Sequence, residues 1–310
     1  MLTITKYYNK KIHIVKDNSL LSFTNRRIIT MNFYEQEPVS LYLDDLDVLE
    51  DFNSDKQHIQ LFLHPWLGKV LVINGEIQHI EKYQTLYHEM LVHLPASFVP
   101  HIENVLILGG GSLYAAYEVL KYPTVNRVVL CDHDSAVLNV MKKYYPHADS
   151  VVHDQRFKHV KQDAHEFVLK CTDSFELIIN DCFNLAADSL QYNHSFYSTL
   201  SNLCSSEGVC VDIIYRHIFD RPTTVSTLNY LHSQKNLALS LVVVPEYPGM
   251  LHLETIWGKS SYISQSAKQA VNDVQVSLSK QKSTMFNYFT PLNLAAYLYL
   301  PPYIKDMFNL

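Results

Sequence analysis

The chain has 310 residues and a mass of 35.8 kDa, with 47% hydrophobic and 18% charged residues, enough apolar material for one or two folded cores and too much for a disordered tail. Lys and Arg number 25 against 31 Asp and Glu, so the formal charge of -6 supplies no phosphate-neutralising surface of the kind nucleic-acid binding needs. The opening segment MLTITKYYNKKIHIVKDNSL lacks a signal-type apolar core, and no run approaches the ~18 apolar residues of a membrane span. A soluble, cytoplasmic protein without nucleic-acid or membrane partners is expected.

Up to about residue 80 the apolar spacing is short and strand-like: Ile28-Ile29, Val39 to Leu43, Ile59 to Leu63 and Lys69 to Ile73. Asn74-Gly75 then marks a type I′ hairpin, which needs positive φ at both central residues. From Thr85 the period lengthens, with Leu86, Met90, Leu91 and Leu94 on one helix face that is expected to stop at Pro95. Val105 to Leu108 is a buried strand closed by Gly109-Gly110-Gly111, Tyr114 to Leu120 a helix, and Arg127 to Leu130 a second strand ending in Cys131-Asp132, which makes a βαβ unit. Ser135 to Tyr145 and His165 to Lys170 read as helices. His159-Val160, Leu177 to Ile179, Val209 to Ile214 and Leu239 to Val244 complete the expected strand set. The fold class is α/β, a Rossmann-like, doubly wound sheet behind a small N-terminal antiparallel β domain, with domains at 1-83 and 84-310.

Ligands of an open parallel sheet bind beyond the carboxyl ends of its strands, so the strand tips carry the candidates. Gly109, Gly110 and Gly111 form either a plain tight turn or a place where bare backbone N–H groups approach a ligand. Asp132 can accept both hydroxyls of a ribose or cap the next helix, although Asp134 stands closer to that helix. Asp163 can take an adenine amino group beside the small Ala164, or can itself be a cap. Asp181 can accept a proton from a nucleophile or order an Asx turn. GGGSLYA lacks the spacing and third glycine of G-x-G-x-x-G, which disfavours a dinucleotide and favours an S-adenosyl-type nucleoside. The five cysteines are odd in number without a C-x-x-C pair, and His88/His93 and His153/His159 lack H-E-x-x-H spacing, so neither a disulfide framework nor a metal site is expected.

Four segments in order, Gly75-Glu76-Ile77-Gln78, Tyr87-His88-Glu89-Met90-Leu91-Val92-His93-Leu94-Pro95, Val105 to Gly111 and Tyr247-Pro248-Gly249, together resemble the spermidine synthase (polyamine aminopropyltransferase) family. Phe286-Asn287-Tyr288-Phe289 is similar to its closing segment, and residues 1 to about 50 match it poorly. The resemblance implies a class I methyltransferase-type fold, a homodimer, no prosthetic group, and transfer of an aminopropyl group from decarboxylated S-adenosylmethionine to a small amine such as putrescine. It assigns Asp181 as proton acceptor and Gln57, Gly109, Gly110, Gly111, Ser112 and Asp132 to the donor. It further assigns Asp163 and Ala164 to adenine, and Tyr87, His88, Asn184 and a gatekeeping Tyr247 to the substrate side.

Two positions depart from the pattern. Ser112 stands where the family's glycine loop continues with aspartate, and Asn184-Leu185 stands where a second aspartate precedes proline. Removing one partner of a desolvated charge pair costs roughly 2–5 kcal/mol, so both changes weaken cation binding. Either acids such as Glu118 or Glu254 compensate, or the substrates carry less positive charge. The latter admits methyl or aminocarboxypropyl transfer from unmodified S-adenosylmethionine; a third, separate possibility is a relative that keeps the fold and nucleoside pocket without turnover.

Overall fold

The structure, a computed structural model, describes residues 30–34, 41–182, 190–216, 221–233, 236–247, 252–263 and 286–308. It forms two compact units. The first takes in the chain up to Lys82, apart from Ser54–Lys56, together with Glu246–Pro248; the second takes in Ser54–Lys56, Tyr83–Pro245 and Gly249–Leu310.

The first unit is a five-stranded antiparallel sheet in sequential order: β1 Thr30–Tyr34, β2 Tyr42–Asn53, β3 His58–His64, β4 Gly68–Ile73 and β5 Glu76–Ile80. Asn74 and Gly75 have φ of 53° and 83°, the paired positive angles that a type I′ turn demands. Ile59, Leu61, Val70, Val72 and Ile77 are fully buried, and the Glu246 carboxylate accepts the Ile80 N–H at 2.9 Å.

The second unit has seven strands: β6 Asn104–Gly109, β7 Arg127–Cys131, β8 Phe157–Val160, β9 Phe175–Asp181, β10 Cys204–Arg216, β11 Leu237–Val242 and β12 His252–Gly258. Their spatial order is β11-β12-β10-β9-β6-β7-β8. The run from β10 to β8 is parallel, and β12 is antiparallel to both its neighbours. Strand order reverses between β6 and β9, because the chain winds outward from β6 through β7 to β8 and then returns to wind the other way.

Helix α1 (Gln84–Ala96) lies against β9 and β10 and against α2 (Tyr114–Leu120). The opposite face carries α5 (Ala164–Lys170), α6 (Leu190–Leu203) and α7 (Arg221–Ser233) over a core that includes Leu106, Leu108, Ile178, Cys210, Leu253 and Trp257. Cover on both faces explains why Val105 to Leu108 are all 0% exposed, each such side chain contributing about 1.5–3 kcal/mol. Helices α3 (Ser135–Tyr144) and α4 (Pro146–His153) join β7 to β8.

Three details differ from the sequence reading. Pro95 sits inside the last turn of α1, where its missing N–H forfeits only one backbone bond, and the Ser97 N–H closes the helix on the His93 and Leu94 carbonyls. Helix α4 follows at once on α3, with Pro146 at its first position. The expected strand set was incomplete: β12 inserts between β10 and β11. Its polar His252, Glu254 and Thr255 do not announce a covered strand, yet every residue in it is buried. Ile28-Ile29, Val39 and Ser40 lie outside the described residues.

Candidate active site

Ligands of doubly wound sheets sit where strand order reverses, and here that point lies between the ends of β6 and β9. Gly109 pairs with Asp181 across it. The glycines leave the strand with φ of 73° at Gly109 and 72° at Gly110, and a Cβ on Gly109 would lie 2.7 Å from the Asp181 carbonyl oxygen. A Cβ on Gly110 would lie 3.4 Å from Asp181 Oδ2, and one on Gly111 would lie 3.0 Å from Asp132 Oδ2. The turn is therefore threaded between two carboxylates, and the absence of side chains is what lets both approach its backbone.

Asp132 and Asp181 differ in their surroundings. The Asp132 Oδ1 accepts the Asp134 N–H at 2.8 Å, while burial, offset by that bond, holds its carboxyl above the ordinary range. Asp134 caps α3 by accepting the Ala136 N–H at 2.9 Å, so capping and strand-tip roles fall to separate aspartates. Asp181 Oδ1 accepts the Tyr87 hydroxyl at 2.5 Å. Burial, opposed by that hydrogen bond and reinforced by the Asp132 charge, pushes its pKa up to about 7.

Helix α1 presents its consecutive residues Tyr87 and His88 to this crevice. The His88 Nδ1–H donates to the Gln84 carbonyl at 2.8 Å, which leaves Nε2 as an acceptor, 3.4 Å from the Ser112 hydroxyl. Burial lowers the His88 pKa to about 4, so the ring is neutral at physiological pH. His147 Nε2 donates to the Ser112 carbonyl at 3.2 Å and stacks on Tyr114 at 3.5 Å. Where the family pattern wants an acid, this chain holds a serine hydroxyl beside the neutral His88.

Asp163 is an N-cap after all, accepting the His165 and Glu166 N–H groups at 2.9 and 3.1 Å, both through Oδ1. It nevertheless stands at a strand tip beside the others: Ala164 is buried behind it, and the preceding Gln162 carbonyl accepts the Cys131 thiol at 3.3 Å. The structure thus gathers Tyr87, His88, Gly109 to Ser112, Asp132, Asp163, Ala164 and Asp181 along one edge of the second unit. Gln57 and Tyr247 belong to the first unit, and Asn184 lies outside the described residues.

Two buried carboxylates nearby, Glu89 and Glu118, have partners that the sequence reading did not foresee. Glu89 receives the backbone N–H groups of Asn287, Tyr288 and Phe289 at 2.7 to 3.1 Å, tying the closing segment to the helix that carries Tyr87 and His88. The one available signal was that both segments belong to the same family pattern. Glu118, suggested above as a compensating acid, is committed elsewhere: it accepts from His93 at 2.9 Å and pairs with Lys121. Burial raises its pKa, but those two partners outweigh it and the net shift is downward. That correction leaves Glu254 as the candidate for extra negative charge.

A family model described as the spermine/spermidine synthase domain matches residues 84–269. The polyamine aminopropyltransferase of Thermoanaerobacter sp. (strain X514) is 28% identical over 259 residues, 82% of this chain and 88% of its own length. Polyamine aminopropyltransferase 1 of Aquifex aeolicus is 40% identical over 134 residues, 43% of this chain and 48% of its own. Among solved structures, a spermidine synthase in complex with the transition state analogue AdoDATO superposes with a TM-score of 0.79 at 23% identity, covering 94% of this chain and 98% of that one. The spermidine synthase from Thermotoga maritima gives 0.78 at the same identity. These superpositions carry the fold.

Proposed function

Because the chain belongs to the spermine/spermidine synthase family, we propose that it transfers the aminopropyl group of decarboxylated S-adenosylmethionine to an amine such as putrescine, releasing methylthioadenosine. The observation that carries the chemical part is Asp181: a half-buried carboxyl at the switch point, with a pKa near 7, beside a turn bare of side chains. In the transfer, the acceptor nitrogen's lone pair attacks the propyl carbon bound to sulfur. The carbon–sulfur bond breaks with its electrons going to sulfur, and the sulfonium becomes a neutral thioether. The new ammonium loses a proton to Asp181. An acceptor amine has a solution pKa of about 10.4, so a carboxylate poised near 7 is better matched to that proton than one at the ordinary value.

The remaining residues bind and orient. Asp132 suits the ribose hydroxyls, Asp163 and Ala164 the adenine, and the glycine turn the close passage of the donor. The Tyr87 hydroxyl fixes the Asp181 rotamer and stabilises its charged form. Purified protein offered the donor and a panel of amines should form methylthioadenosine and an aminopropylated product by mass spectrometry; neither product with any amine would refute the reading.

One observation favours a second reading. The Ser112 hydroxyl, beside the neutral His88, can donate to a carboxylate where an aspartate would repel it, which suits unmodified S-adenosylmethionine. Calorimetry separates the two: tight binding of the decarboxylated donor supports aminopropyl transfer, and tight binding of the carboxylated donor alone supports the alternative. Under the first reading, Ser112→Asp should tighten the decarboxylated donor by about tenfold or more.

A further inference from the structure

Glu254 lies in the middle of β12, is 0% exposed, and neither carboxylate oxygen has a hydrogen-bond partner. It pairs in register with Ser240 of β11, which is equally buried and whose hydroxyl is also unpartnered, and with Ile213 of β10. A native protein rarely leaves a buried carboxyl without a partner unless something else supplies one. Burial alone holds this carboxyl well above the usual range.

The register says where the pair is aimed. Leu253 and Trp257 belong to the core on the α5–α6–α7 face, so Glu254 stands on the opposite, α1 face. Asp181 stands there too, since it meets Tyr87 of α1 while its neighbour Asn180 reaches Asp212 on the other side. Asp212 pairs with Asn180, so the next position places Ile213 beside Asp181. One row across the sheet therefore reads Ser240, Glu254, Ile213, Asp181, Gly109. Two strand spacings, about 10 Å, separate the carboxylate-bearing backbones, with an apolar side chain between them.

Acid, aliphatic, acid is the complement of a short diamine. We propose that Glu254, with the Ser240 hydroxyl, binds the distal ammonium of a diamine acceptor whose other nitrogen attacks beside Asp181, the alkane chain lying over Ile213. Glu254 is then the residue that sets acceptor length. The inference rests on the transferase reading above and adds the acceptor class to it.

The test compares methylthioadenosine release with diaminopropane, putrescine, cadaverine and the monoamine butylamine, at saturating decarboxylated donor. Glu254→Gln should raise the KM of the best diamine by about tenfold or more with kcat little changed, and leave butylamine unaffected, because the lost contact is made equally in the ground and transition states. Glu254→Asp withdraws the carboxylate by one methylene and should move the preferred acceptor to the next longer diamine, a shift that a merely structural glutamate would not produce. Unaltered discrimination between putrescine and butylamine in Glu254→Gln, or an unmoved length preference in Glu254→Asp, overturns the assignment while the transferase reading stands. Wild-type protein that releases no methylthioadenosine with any of these amines overturns both. Should Glu254→Gln fail to fold, the length preference of Glu254→Asp decides.

Discussion

Asp181, at the end of β9, and Asp212, inside the neighbouring parallel β10, sit one register position apart and face opposite sides of the same sheet. Asp212 is buried and Asp181 partly so, and loss of solvent pushes both carboxyls up, to about 6 and about 7. Their company differs. Asp212 receives two neutral donors, the Trp257 indole N–H at 2.7 Å and the Asn180 amide at 2.5 Å, which pull its pKa back down and knit three strands together. Asp181 receives one hydroxyl and looks toward a turn stripped of side chains. Of the two, the carboxylate left with spare acceptor capacity on the ligand side is the one available for chemistry.

The largest effect expected from breaking this contrast is at Asp181. Replacing it with Asn should reduce methylthioadenosine release by about 10²–10⁴-fold. Its stability should move the other way. Between the unfolded value of about 4 and the folded value near 7, the unfolded chain gives up a proton that the folded chain keeps, so stability falls as pH rises through that window. Asn removes that loss, and the urea midpoint of Asp181→Asn at pH 8 should exceed the wild type's.

Asp212→Ala should do the reverse. It strands the Trp257 and Asn180 donors at about 1–3 kcal/mol each and should lower the urea midpoint, while the folded fraction keeps its turnover. The smallest effect sharpens the comparison. kcat/KM should fall about tenfold per unit as pH drops below about 7, where Asp181 is protonated. Tyr87→Phe should displace that limb to higher pH, because the lost hydrogen bond is the one that holds the pKa down. An unmoved limb would assign it to a different group.

Much of this was legible before any coordinates. The Asn74-Gly75 hairpin, the alternation from β6 to β9, the glycine turn and the aspartates at three strand tips are local or nearest-neighbour features, and residue type and period report those directly. What stayed hidden depends on distant partners. The strand β12 went unread, because His252, Glu254 and Thr255 put polar residues on both its faces and nothing local says that both are covered. Glu118 read as a spare acid because His93, on α1, meets it only once α1 lies on α2. Asp163 shows the limit from the other side: cap and strand-tip readings were both available, and one carboxylate accommodates both, since its capping bonds use a single oxygen.

The bond from Phe289 to Glu89 spans 200 residues of chain. During synthesis, the helix bearing Tyr87 and His88 leaves the ribosome long before the amides that satisfy its buried glutamate exist. Until they arrive, that acid is an uncompensated burden on the nascent domain, and a product cut short before Phe286 carries the burden permanently. Completion of the polypeptide and completion of the crevice are thereby coupled, and degradation machinery that samples unstable chains can tell a finished molecule from a truncated one.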